Sequence, residues 1–234
     1  MLFDPARGYL LPRDALGVFP ATFTPTMTRG FTEGTAAQYL WMVPHDIAGL
    51  ADLLGGKDAA IQRLDAFFTE VNAGIRSANA FVGNEPGQNG PWAYDFLGAP
   101  ARTAALVRRA LGELFLAEPR GMPGNDDGGA TSAWMVFGSL GLYPGVPGAS
   151  GVLVGSPLFP GATVHLAGDR RLRIEATGSG PYVQALAIDG APYGSPWIPW
   201  PRLQGGATVS FTLGDQPSAW GTRPEDAPPR LGAP

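Results

Sequence analysis

The chain has 234 residues, enough for one large domain or two small ones. It is 44% hydrophobic and only 15% charged, so it can bury a core and is not a disordered tail. A net charge of −4, with the basic residues scattered, excludes a nucleic-acid-binding face, and the lack of cysteine excludes disulfides, thiolate metal sites and a cysteine nucleophile.

Residues 1–31 read as loop, punctuated by Pro5, Pro12, Pro20 and Pro25. The opening Met1–Tyr9 stretch is not a signal peptide, because Asp4 and Pro5 interrupt it, and no run is long and apolar enough to cross a bilayer. A first helix is expected from Thr32 or Glu33 to Met42, where Pro44 breaks it. A second runs from about His45 to Leu54 and stops at Gly55-Gly56. Asp58 caps a third, whose Ile61, Leu64, Phe67, Phe68 and Val71 recur with the helical period. Residues 83–91 form a long loop. A fourth helix starts near Pro100, and a fifth covers about Ser132 to Leu140, ended by Gly141.

From Val152 the pattern changes to short β-rich segments at 152–154, 163–166, 172–176, 182–188 and 208–213, with Asp189-Gly190 as a hairpin turn. The fold class is therefore α+β: a helical array, then a small antiparallel β-rich region. The expected units are residues 1–148, 149–221 and a disordered tail at 222–234, rich in proline, glycine and charge.

Four polar groups sit at helix ends and loops: Glu33 with Thr32 and Gly34; His45-Asp46; Asn84-Glu85; and Asn125-Asp126-Asp127. Acids gathered at one end of a helical array suit a carbohydrate or metal site, where one protonates a leaving oxygen and another deprotonates water. Each group also has a purely structural reading. Glu33 can complement a helix dipole, Asp46 can cap its helix, His45 can be a core histidine, and Asn84 and Glu85 can brace a turn. Asp126 and Asp127 between glycines can cap a helix, hold a cation or act as a base. Trp41, Trp92 and Trp134 read as core. No phosphate-binding glycine fingerprint, nucleophile elbow or paired-histidine zinc motif is present, whereas a hard cation on oxygen ligands is compatible with the set.

Taken in order, these segments resemble glycoside hydrolase family 92, calcium-dependent exo-acting α-mannosidases. The matching stretches are Phe31-Thr32-Glu33-Gly34, Trp41-Met42-Val43-Pro44-His45-Asp46, Gly83-Asn84-Glu85-Pro86, Gly121-Met122-Pro123-Gly124-Asn125-Asp126-Asp127, Ser132-Ala133-Trp134, Gly141-Leu142-Tyr143-Pro144 and Gly155-Ser156-Pro157-Leu158-Phe159, with Gly49-Leu50 and Gly55-Gly56 between. The resemblance implies an (α/α)6 barrel preceded by a β-sandwich, hydrolysis with inversion, Ca2+ as cofactor and a mannose-containing glycan as substrate. It places the general acid on Glu33, the base on Asp127 or Asp126, and sugar contacts on Asn84, Glu85, His45 and Asp46, while leaving the calcium ligands unassigned. It also implies an extracellular or periplasmic location.

The chain departs from the family in two ways. Ala37 stands where the family usually has a bulky aromatic residue. Family members are several times longer, so the chain is expected to be a fragment: the C-terminal part of the catalytic region, lacking the β-sandwich and the first barrel helices. The alternative is that it is an inactive remnant or a carbohydrate-binding portion.

Overall fold

The computed structural model describes residues 2–230. The strands β1 (Phe3–Asp4) and β2 (Tyr9–Leu10) pair antiparallel ahead of the helical half. The first expected helix is much shorter than its pattern suggested: α1 covers only Ala36–Tyr39. Thr35 ends the loop before it, because its side chain accepts the N–H of Gln38 while the Gln38 side chain accepts the N–H of Thr35. Glu33 therefore lies outside the helix.

Asp46 caps α2 (Ile47–Leu53) through the N–H of Gly49. Helix α3 (Lys57–Phe67) starts after Gly56, so Asp58 sits within its first turn rather than capping it. The segment expected as loop holds two one-turn helices, α4 (Glu85–Gln88) and α5 (Ala93–Phe96), joined by a tight turn at Gly90–Trp92. Proline in the first turn of α4 costs no hydrogen bond there. Helix α6 (Pro100–Leu114) buries Leu106, Val107, Ala110 and Leu111 on one face. Helix α7 (Ala130–Leu140) ends on left-handed Gly141.

Among the described residues eight strands follow these helices: β3 (Leu142–Tyr143), β4 (Gly151–Val154), β5 (Gly161–His165), β6 (Arg171–Gly178), β7 (Tyr182–Ile188), β8 (Ala191–Tyr193), β9 (Trp197–Pro199) and β10 (Ala207–Gly214). The larger sheet has the order β5-β6-β10-β7-β8. It is mixed, which corrects the expected all-antiparallel region: β10 enters between β6 and β7, antiparallel to β7 and parallel to β6. The Asp189-Gly190 turn joins β7 to β8, with both residues left-handed as such a hairpin requires.

Two cores meet at the smaller sheet, β3-β4-β9. Leu153 and Trp197, paired across it, face the helical core with Trp41, Trp92 and Trp134. Val152 and Ile198, the next pair, face the strand core with Ile174, Val209 and Phe211. Alternation along β4 thus serves both sides, which is why Val152-Leu153-Val154 is continuously apolar. Strand β3 lies before residue 148 yet pairs with β4, so the two halves share a sheet.

The stretch 222–230, expected to be disordered, is held against the body. Arg223 pairs with the buried Asp226 at 2.7 Å, Ser195 donates to the Asp226 carbonyl at 2.6 Å, and Arg230 pairs with Asp46 at 2.8 Å. Specific partners outweigh the composition there. Residues 231–234 lie outside the described residues.

Candidate active site

Two glycines bring the acid-bearing loops together. A Cβ on Gly124 would lie 1.9 Å from the carbonyl oxygen of Gly83, and one on Gly83 would lie 3.0 Å from the nitrogen of Gly124. Backbone meets backbone here because neither residue carries a side chain, and Gly124 is also left-handed. Helices α4 and α7 are tied above this crossing. The Gln88 amide donates to the Thr131 hydroxyl at 3.2 Å, Thr131 donates to the Asn125 carbonyl at 2.8 Å, and the Trp134 indole donates to the Gln88 carbonyl at 2.9 Å.

The third loop is locked onto the second. Asn84, 8% exposed, donates its side-chain amide to the carbonyl of Glu33 at 2.8 Å. The Tyr39 hydroxyl donates to the carbonyl of Thr32 at 2.5 Å. As a result one carboxylate oxygen each of Glu33, Glu85 and Asp127 lie within 4.8 Å of one another. Glu33 and Asp127 are exposed, and Glu85 is half-buried. Three carboxylates this close repel one another, so the cluster is suited to a cation. Glu85 Oε1 is buried and has no hydrogen-bond partner, which leaves it available as a ligand.

The two adjacent aspartates divide. Asp126 accepts the Ser132 hydroxyl at 2.5 Å and the Ser132 N–H at 2.8 Å, capping the start of α7. These bonds hold its carboxyl below the usual aspartate range. Asp127 instead joins Glu33 and Glu85.

Of the other sequence candidates, Asp46 is committed to its helix cap and to Arg230. His45 is exposed in the turn before α2 and is not part of the carboxylate cluster. Sequence reasoning gave no role to Ser132, Thr131, Gln88 or Tyr39, whose side chains fix the acids. Ser132 and Tyr39 lay in stretches that resemble the family, whereas the signal for Thr131 and Gln88 was their place within a turn or two of an acid-bearing motif.

Comparison with known proteins gives the same direction. Residues 1–215 match the model of the glycosyl hydrolase family 92 catalytic domain. An uncharacterized secreted glycosidase of Arthroderma benhamiae is 32% identical over 199 residues, covering 82% of this chain and 25% of that protein. A family GH92 α-mannosidase from Bacteroides thetaiotaomicron superposes with a TM-score of 0.90 at 29% identity, covering 100% of this chain and 32% of that one. The same enzyme in complex with mannoimidazole gives a TM-score of 0.89 at 28% identity, with 97% and 33% covered. The family GH92 inverting mannosidase of Bacteroides thetaiotaomicron VPI-5482 gives 0.87 at 29% identity, with 97% and 34% covered. The chain thus spans between a quarter and about a third of the length of these relatives. Among the described residues no helix is long and apolar enough to cross a membrane. With the family model matched along most of its length, the chain belongs to glycosyl hydrolase family 92 and contains part of its catalytic domain.

Proposed function

We propose that this chain carries the acid and base of an inverting, exo-acting α-mannosidase on part of an (α/α)6 barrel. The observation that carries the reading is the convergence of Glu33, Glu85 and Asp127 from three separate segments of the chain. Glu33 donates its carboxyl proton to the glycosidic oxygen as the bond to the anomeric carbon breaks. Asp127 takes a proton from the water that attacks the opposite face of that carbon. Asp126 is left out of the chemistry, since both its oxygens are held by Ser132.

An inverting pair stands roughly 6.5–9.5 Å apart, with water between. The nearest oxygens of Glu33 and Asp127 are within 4.8 Å, so the side chains must swing apart around sugar and water. Their exposure leaves them room to do so.

Ca2+ fits the chemistry of the site, because the donors are all oxygens and Glu85 Oε1 is buried without a partner. Glu85 would hold the ion. When bound, the ion supplies positive charge that gathers adjacent hydroxyls of a mannose-containing glycan. The relative described as secreted supports an extracellular or periplasmic place of action.

A second reading concerns the chain by itself. It spans about a third of the solved relatives, and Val136, Leu158 and Phe159 stand exposed beside α7. The isolated chain is then incomplete as a pocket and has little or no activity, and the longer catalytic polypeptide is the mannosidase. One assay tests both readings: mannose release from α-linked mannobiosides, with calcium and after chelation. Glu33→Gln in the longer polypeptide should lower turnover by about 100-fold or more on these poor leaving groups, and chelation should abolish turnover. Undiminished turnover by Glu33→Gln removes the acid assignment. Robust calcium-dependent turnover by the isolated chain removes the second reading.

A further inference from the structure

We infer that Asn84 is a positioning residue: its side-chain amide holds the backbone of Glu33 in a left-handed conformation and so sets how that carboxylate is presented to Glu85 and Asp127. The inference rests on the reading of Glu33 as proton donor, and it assigns Asn84 a task different from contact with the sugar.

Three non-glycine residues among those described have positive φ: Glu33 at 53°, Asp169 at 58° and Asp189 at 50°. The two aspartates turn the chain between paired strands, where their short side chains tolerate this region. Glu33 turns nothing of that kind. Its neighbour Gly34 could adopt the left-handed region without steric conflict, yet Gly34 is not left-handed. The strain therefore falls on the acid rather than on the adjacent glycine, which is where a site that needs a fixed carboxylate direction would place it.

Strain persists only where surroundings enforce it. The peptide after Glu33 is gripped by Asn84 Nδ2 on its carbonyl, at 2.8 Å. The peptide before it is gripped by the Tyr39 hydroxyl on the carbonyl of Thr32. Tyr39 is steadied in turn by the ring of Phe31, 5.2 Å away between centroids. Asn84 is itself fixed: it is largely buried, its N–H donates to the Phe81 carbonyl at 3.2 Å, and its carbonyl accepts the N–H of Gly87 at 2.9 Å. Glu85 follows directly. One dipeptide thus supplies the second carboxylate of the cluster and the grip on the first.

The test is made on the folded chain by NMR and by denaturant melts. Left-handed φ brings the amide and α protons of Glu33 close, giving a strong intraresidue cross-peak. Asn84→Ala and Asn84→Asp should both weaken that cross-peak, since aspartate keeps the shape but loses the donor. Asn84→Ala should also weaken calcium binding, by about tenfold. The Asn84→Ala penalty in melts should shrink in a Glu33→Gly background, because glycine adopts this region unaided. A left-handed Glu33 retained in either variant, or equal penalties in the two backgrounds, overturns the inference. Glu33→Gln activity reports separately: if turnover survives it, the acid assignment fails while these measurements still decide the clamp.

Discussion

Adjacent acids in one turn have opposite uses, and local hydrogen bonds decide which is which. Asp126 is tied to Ser132 and Asp127 is free to join the cluster. Asp126→Ala should lower the melting temperature by a few degrees through loss of the α7 cap, whereas Asp127→Ala should leave it nearly unchanged and weaken calcium binding. Because the Asp126 carboxyl is depressed in the folded state, its contribution is fully present above the ordinary value of 3.8 and is lost as pH falls through the lower folded value. Melts of wild type and Asp126→Ala should converge in that acid range.

Asp95 has the opposite sign. It is fully buried, with no charged partner, and the Thr103 hydroxyl is the polar side chain beside its carboxyl. Burial pushes its carboxyl well above the usual range. The fold then binds a proton that the unfolded chain releases, so this contribution is present below pH 3.8 and is lost as pH rises through the folded value. Asp95→Asn, which carries no charge, should raise the melting temperature at neutral pH and flatten its fall with pH.

Among the elements, the one-turn helix α4 and the start of α7 are the parts that assemble the site. Both hang on the Gly83–Gly124 crossing. Gly124→Ala should cost at least about 2 kcal/mol, from left-handed strain and the clash with the Gly83 carbonyl. It should also weaken calcium binding, because Asp127 moves relative to Glu85. Unchanged melts would show that the loops have slack. The helical periods of α3 and α6 were legible because each buries one face, as were the strands of the larger sheet. α1 was overestimated because the apolar residues from Phe31 to Met42 suggest a longer helix than the Thr35 cap and the left-handed Glu33 allow. α4 was missed because glycine and proline density reads as loop, although proline is at home in a first turn.

At the scale of the whole molecule, helices and strands share β4 and β9, and the C-terminal stretch returns to brace Asp46. An apolar surface lies open beside α7, with Val136 51% and Phe159 56% exposed. Surfaces of this kind seek a partner. The isolated chain should self-associate with rising concentration, and Val136→Asp with Phe159→Asp should reverse this without lowering stability by more than about 0.5 kcal/mol. Sedimentation velocity distinguishes the outcomes, and a wild-type chain that stays monomeric over the full range rejects the expectation.

The sequence by itself determined the order of the helical half before the larger sheet, the burial of Trp41, Trp92 and Trp134, the Asp189-Gly190 hairpin and the identity of the acids. These depend on interactions a few residues apart: hydrophobic period, caps and turn chemistry. Only the tertiary structure decided that Glu33, Glu85 and Asp127 meet, that Asp46 faces Arg230, and that β10 lies parallel to β6. Those outcomes depend on which backbone segments can touch; for the acid cluster, two facing glycines and a buried asparagine, with partners far away in the chain, set that contact.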